Sequence, residues 1–336
     1  MTAAAPLRLA LAGDVMLGRL VGAQIRRQGP AYPLEAIAPL MRRADLAIVN
    51  LECALTDCPR RWGAAPKRFY FGAPPDAARS LSGAGIGIAS LANNHILDFE
   101  VRGLRDTLAA LEGRGIGHAG AGTCLAAALR PAIAERRGLR IGMAAFCDHQ
   151  RDFAAGPRRS GIACIDLADG PGALRAFRQA LAPLRAAGVE WPILSLHWGP
   201  NMAPRPAAPL RLLAHAAIDM GWKIVFGHSA HVFQGIELRR GFPILYAAGD
   251  LVDDYAVDQQ LRNDHQLLFE LEVDGERLRR VLLHPLFIAR CCTVPANARQ
   301  AAWIAGRVQA PCREFGTRIV TALLPWTITP PWSPSG

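Results

Sequence analysis

Short apolar runs, each cut off by small or polar residues, restrict what this chain can become. Residues 7–12, 46–49, 86–91, 141–146, 193–196 and 224–226 are too short for helices and too apolar for surface loops. They predict buried strands that deliver loops to one edge of a sheet. Between them, residues 100–114, 173–187 and 209–221 have helical spacing. In the first of these Val101, Leu104, Leu108 and Leu111 share a face, and Gly113 or Gly115 ends the helix. Strands alternating with amphipathic helices predict an α/β fold. From residue 131 hairpins join the pattern: 132–135 with 139–144, 232–238 with 242–246, and 267–273 with 278–283 around the turn dipeptide Asp274-Gly275. Crossover helices together with hairpins predict mixed sheets. Beyond Thr293 the signal weakens, and the Pro-rich end, residues 325–336, reads as an extended tail laid over the surface by Trp326 and Trp332. The expected division is a main domain over 1–290 and a C-terminal extension over 291–336.

Half of the 336 residues are apolar (51%), enough for a large core without disulfides. The eight cysteines lack the paired spacing of zinc ribbons and read as small buried hydrophobes. The net charge of +10 comes almost wholly from scattered arginines, with lysine only at positions 67 and 223. No basic run is interleaved with aromatics, so nucleic-acid binding is not expected. A positive field that favours an anionic small-molecule or polymer substrate is the more direct consequence. The sequence shows neither a signal peptide nor an apolar stretch of membrane-spanning length, so membrane insertion is not expected and a cytoplasmic protein is.

The chemistry lies where the apolar runs stop. The first run leads into Gly13-Asp14-Val15-Met16, the second into Asn50-Leu51-Glu52, and the third into Asn93-Asn94-His95 with Asp98 close behind. Later runs lead into His197-Trp198-Gly199 and into Gly227-His228-Ser229-Ala230-His231. Each piece alone has a plain structural reading as a turn, a helix cap or a hydrogen-bonded core histidine. Together they place carboxylates, amides and imidazoles at strand ends, the edge where open α/β sheets bind ligands. Mixed nitrogen and oxygen donors suit one or two divalent ions such as Mn, Fe or Zn. Gly120-Ala121-Gly122-Thr123, with Thr123 as a helix cap, is a weaker candidate for an anion-binding turn. Cys147-Asp148-His149 could line the same site. His118, His215, His265 and His284 read as structural.

This ordered set resembles the bacterial CapA family, named for capsule and poly-γ-glutamate biosynthesis, within the calcineurin-like metallophosphatase fold. The resemblance spans roughly residues 8–288. It is carried by residues 13–19 (GDVMLGR), Asn50-Leu51-Glu52, Phe71-Gly72-Ala73-Pro74, residues 91–98 (LANNHILD), His197-Trp198-Gly199 and Gly227-His228 with His231-Val232 and Gln234. It implies a metallophosphatase-like sandwich of two mixed β-sheets flanked by helices. It also implies that Asp14 and His231 hold one metal, that Asn94, His197 and His228 hold a second, and that Glu52 bridges them. His95 would sit beside the metals as a proton donor or charge stabiliser, and Arg19 would steer an anion. The chain departs from the pattern at several points. Met16 stands where metallophosphatases carry a histidine, Asn201 replaces a common glutamate, and Glu100 replaces a usual glycine. Gly249-Asp250 replaces Gly-Asn and thereby adds a carboxylate, with Asp253-Asp254 following.

Three functions are compatible with these residues. The first is a metal-dependent hydrolase of a phosphoester or related anionic bond. The second is a γ-glutamyl or other amide hydrolase or transferase. The third is a non-catalytic, metal-bound accessory protein of capsule assembly.

Overall fold

The computed structural model describes residues 5–331. The predicted apolar runs all form strands, most of them reaching further toward the polar residues that follow. They are distributed over two mixed sheets. The first, of nine strands, follows the path Cys292–Pro295, Arg277–Ala289, His265–Asp274, Leu7–Val15, Leu46–Leu51, Ile86–Ser90 and Gly117–Ala119. Asp250–Val252 joins it in parallel beside the end of Leu7–Val15, and Trp326–Ile328 joins it beside Arg277–Ala289. The second, of six strands, runs Ile236–Arg239, Phe242–Leu245, Ile224–His228, Trp191–His197, Leu139–Cys147 and Ala132–Arg136. All three predicted hairpins form as antiparallel pairs.

One core lies between the sheets, built from Leu9, Leu11 and Ile48 of the first and Ile141, Ile193, Ile224 and Phe226 of the second. A second core lies on the outer face of the second sheet. There Phe146, Leu194, Leu196 and Val225 meet Phe177, Leu181 and Leu184 of the helix Gly170–Ala186 and Leu213 and Ala217 of the helix Ala208–Met220. Strands covered on both faces read as unbroken apolar runs, which is why these segments show no alternation in the sequence.

The C-terminal part carries more regular structure than its weak sequence signal announces. A 17-residue helix spans Ala298–Glu314. Its start is a capping box: Gln300 N–H donates to Asn297 Oδ1 (3.0 Å) and Asn297 N–H to Gln300 Oε1 (2.8 Å). Ile304, Val308 and Cys312 of this helix are buried and join the same continuous apolar cluster as the strands. The tail is also more than an extended cover, because Trp326 is buried in a strand paired with Val281–Leu283. Trp332 lies outside the described residues. Thr123 does not cap a helix; the short helix Leu125–Ala128 starts from Cys124 without a side-chain cap. Gly120 is a packing position, since a Cβ there would lie 2.7 Å from Ala92 N. Among the described residues no helix is long and apolar enough to cross a membrane.

Candidate metal centre

Strand alternation aims the imidazoles. In Trp191–His197, Leu194 and Leu196 face the outer helices, while Ile193 faces the first sheet. Side chains alternate with period two, so Ser195 and His197 share the inner face with Ile193. In Ile224–His228 the same rule puts His228 on the inner face with Ile224 and Phe226. His197 and His228 are register partners on adjacent parallel strands, and their Nδ1 atoms are 2.9 Å apart. Ser195 Oγ holds the other His228 nitrogen, Nε2, at 2.9 Å.

Asp14 comes from the opposite sheet. Gly13 allows this, because a Cβ at that position would lie 1.7 Å from Gly249 O. The close crossing lets Asp14 N–H donate to Gly249 O (2.9 Å) and brings Asp250 alongside Asp14 in register. Asp14 Oδ1 accepts from Asn50 Nδ2 (2.7 Å), and Oδ2 accepts from Ser229 N–H (3.2 Å). Asp14 also lies 3.7 Å from His228 Nδ1 and 3.5 Å from His231 Nδ1. His231 Nδ1 is closest to Asp250 Oδ1, at 2.9 Å. Asn93 fastens the loop behind these groups, donating to Asn50 Oδ1 (3.1 Å) and to Leu51 O (2.8 Å).

Two overlapping donor groups result. Asp14, His197 and His228 form one; Asp14, Glu52, His231 and Asp250 form the other, and within each the ligand atoms lie within 4.8 Å of one another. The resemblance assigns the shared position to Glu52, whereas here Asp14 is the residue common to both groups. Asp250 is a donor that strand-end reasoning did not select. No donor comes from position 16, whose buried Met Sδ accepts from Gly18 N–H (3.1 Å).

Charge in this cluster is poorly balanced by the protein alone. Burial pushes the Glu52 carboxyl well above the usual carboxylate range, and Asp14 beside it pushes the same way. Burial lowers His228 to about 4 against the pull of Asp14. Burial, reinforced by His228, holds His197 well below its ordinary value. Both are therefore neutral imidazoles, the form that ligates metal. At His231 burial works downward as well, but Asp250 and Asp14 outweigh it and raise the ring to about 9. Glu52 Oε2, Asn94 Oδ1 and Asp250 Oδ2 are buried without a hydrogen-bond partner among the described residues. Unanswered buried oxygens of this kind are costly in a folded chain, and a divalent cation satisfies them. The donor set fits such an ion.

Glu52, Asn94, His197 and His231 line a cavity of about 590 Å³ together with His95 and Arg19. All eight residues selected from the sequence thus belong to one region: six line this cavity, and Asp14 and His228 sit directly beneath it. His95 Nδ1 is held by Asp98 Oδ2 (2.6 Å), and its ring stacks on Phe71 with centroids 3.9 Å apart. His95 Nε2 lies 3.9 Å from Glu52 Oε1. Burial lowers the His95 ring's pKa, with Asp98 opposing. Asp98 is itself fixed by Phe71 N–H (2.7 Å) and by Lys67, whose ammonium also reaches Asn94 O. Arg19 pairs with Asp254 (3.2 Å) and lies over the Phe69, Phe71 and Tyr255 rings at 5.5–6.0 Å. His149 lies near the site, its ring centroid 5.6 Å from that of His197. The other histidines are held elsewhere, His118 beside Glu112 (3.5 Å), His215 by Glu237, His265 by Asp264 and His284 by Glu270.

Residues 8–255 match the family model described as bacterial capsule synthesis protein PGA_cap. A probable polyglutamine synthesis accessory protein of Mycobacterium tuberculosis is 35% identical over 304 residues, covering 85% of this chain and 78% of its own. The capsule biosynthesis protein CapA of Bacillus anthracis is 26% identical over 250 residues, covering 74% of this chain and 60% of its own. The sulfate thiohydrolase SoxB of Thermus thermophilus, solved with glycerol, superposes over 96% of this chain and 63% of its own, with a TM-score of 0.44 and 12% identity, a remote likeness.

Proposed function

This chain belongs to the bacterial capsule synthesis protein PGA_cap family, and from that premise we propose that it is a metal-dependent hydrolase of an anionic substrate, with a phosphoester as the first substrate class. The observation that carries this reading is His95. Its ring is locked between Asp98 and Phe71, and its Nε2 is turned toward Glu52 at the rim of the metal-suited cluster. An imidazole oriented in this way, on the wall of the cavity, stands where it can exchange a proton with a bound substrate, which supports a catalytic use.

In this reading Asp14, Glu52, His231 and Asp250 would hold one divalent ion. Asp14, His197 and His228, with the Asn94 amide oxygen, would hold a second. Mn, Fe or Zn suits these donors. Bound there, such an ion would supply Lewis-acid charge and a nucleophile near neutral pH. The protein's own residues do the rest. With Asp98 accepting from Nδ1–H, neutral His95 would present the Nε2 lone pair, which can take the proton released by the attacking water and pass it on to the leaving oxygen. Arg19, set in place by Asp254 and flanked by aromatic rings, attracts the anionic part of the substrate. Phe69, Phe71 and Tyr255 give the cavity an apolar wall that limits water around the reacting bond.

The names of the relatives favour a second reading. A polyglutamate-related substrate would present an amide to the same metal-activated nucleophile, and the chemistry serves a carbonyl as well as a phosphoryl group. The test is a turnover screen on metal-stripped and metal-reconstituted protein against p-nitrophenyl phosphate, bis-p-nitrophenyl phosphate and γ-glutamyl p-nitroanilide. We expect hydrolysis of a phosphate ester that requires added metal and disappears in Asp14→Ala. Turnover of the anilide alone would move the assignment to amide chemistry. Stoichiometric metal with no turnover of any substrate would leave a non-catalytic accessory role.

A further inference from the structure

Depth sorts the side chains that line the metal cavity. Glu52 and His197 are each 1% exposed, whereas Phe69 and Val257, which line the same cavity, are 50% and 41% exposed. The donors thus lie at the bottom and large apolar side chains at the mouth. Half-buried Met202 adds a flexible apolar wall. Apolar side chains scattered singly over a surface are ordinary. Two of them on the wall of one cavity, above a charged floor, make the mixed lining of a small-molecule site.

Neither side chain hangs from loose chain. Phe71 N–H donates to Asp98 Oδ2 (2.7 Å), and Ala54 N–H donates to Phe71 O (3.0 Å). Two residues earlier, the Phe69 ring lies 22° from the plane of Phe71 with centroids 6.3 Å apart. The guanidinium carbons of Arg19 and Arg68 stand 5.6 and 5.5 Å from the Phe69 centroid. Val257 lies between two residues fastened by one buried side chain: Asp258 N–H donates to Asn263 Oδ1 (2.8 Å), and Asn263 Nδ2 donates to Ala256 O (3.2 Å). An apolar surface set in place beforehand loses little freedom when a ligand covers it, so more of its burial appears as affinity.

We propose that Phe69 and Val257 form a specificity subsite, and that the metal cavity takes a compact phosphoester whose alcohol part is apolar. The inference rests on the hydrolase reading and adds the part of the substrate that does not react. The phosphoryl group belongs on the floor, among the metal donors and within the field of Arg19. The alcohol part covers Phe69, Val257 and Met202. The cavity, at about 590 Å³, has the size of a small-molecule site. A polar alcohol part pressed on these side chains would give up its water without gaining a hydrogen bond.

The test uses the full, metal-loaded chain and three non-hydrolysable probes that share one anionic group: methylphosphonate, 2-hydroxyethylphosphonate and benzylphosphonate. Calorimetric titration on wild-type protein should show benzylphosphonate bound about tenfold or more tightly than either of the others. That ratio should persist at high salt while all three affinities fall, because apolar contact is not screened. Phe69→Ser, at an exposed position, should keep the parent's melting temperature. It should cut the ratio to about threefold or less by weakening benzylphosphonate. Val257→Ser should cut the ratio in part, and the double variant should erase it. Equal affinity for the three probes, no detectable binding of any, or an undiminished ratio in the double variant overturns the proposal. The turnover screen judges the hydrolase reading separately. A benzyl preference without turnover keeps the subsite and removes the hydrolase, and turnover without the preference does the reverse.

Discussion

Asn94 and His95 are neighbours in the chain with different tasks. Asn94 Oδ1 is buried and unanswered, as a metal donor's oxygen would be before an ion arrives, whereas His95 is held through Nδ1 and presents Nε2. Asn94→Ala should therefore lose metal affinity. His95→Ala should keep the parent's metal content and lose roughly 10²–10⁴-fold in turnover, the usual worth of one positioned acid or base. Metal stoichiometry and rate measured on the same preparations check both, and full activity in His95→Ala would remove its proton-transfer role. Asp250 gives a second prediction at this scale. It lies in the donor group that Met16 does not serve and holds His231 at 2.9 Å. Asp250→Asn should weaken metal binding by about 10–100-fold, as loss of a ligand-orienting carboxylate does. Unchanged affinity would mean that the added carboxylate is idle. The two residues also differ in how readable they are. Asn94 follows an apolar run, so its position at a strand end can be inferred. Asp250 begins a three-residue strand that lies beside Asp14 only through the Gly13–Gly249 crossing. Lys67 is hidden for a similar reason: nothing local marks it as the cation beneath Asp98.

Elements differ in the same way. Strands buried on both faces announce themselves by apolar runs, and the helices between them by a one-sided apolar stripe, so both were readable. The helix Ala298–Glu314 was not, because its interior carries Pro311 and its apolar face is diluted by alanine and arginine. Its start signal, Asn297 with Gln300 three residues on, is present in the sequence but slight. Asn297→Ala should destabilise the protein by about 1 kcal/mol, the typical cost of losing a side-chain cap. Urea unfolding with an unchanged slope would check this, and a loss below a few tenths of a kcal/mol would mean that burial of Ile304, Val308 and Cys312 holds the helix without its box.

At the scale of the whole molecule, the sandwich brings strand ends from both sheets against each other, and the cluster they create opposes folding when no ion is bound. The linked pH behaviour follows from His231 and Glu52. His231 rises to about 9 in the folded protein against about 6.5 in an unfolded chain, so its contribution is complete below pH 6.5 and is lost as pH rises through 9. Glu52, raised by burial and by Asp14, acts in the same direction: folding favours its protonated form, and stability falls as it ionises. Metal-free protein should therefore lose stability between pH 6.5 and 9. An ion needs both groups deprotonated, so its binding displaces protons and strengthens over the same window. At a thousandfold excess over its dissociation constant, metal should stabilise the fold by about 4 kcal/mol. The measurement is a series of melting curves at one fixed metal concentration and in EDTA, from pH 6.5 to 9. The gap between the two curves should widen steadily with pH, because proton competition for His231 ends over the window in which the metal-free protein weakens. A gap that stays constant would mean that His231 surrenders no proton on loading. The ion would then rest on Asp14, His197 and His228 alone, with the neighbouring group of Glu52, His231 and Asp250 left as a charge network within the fold.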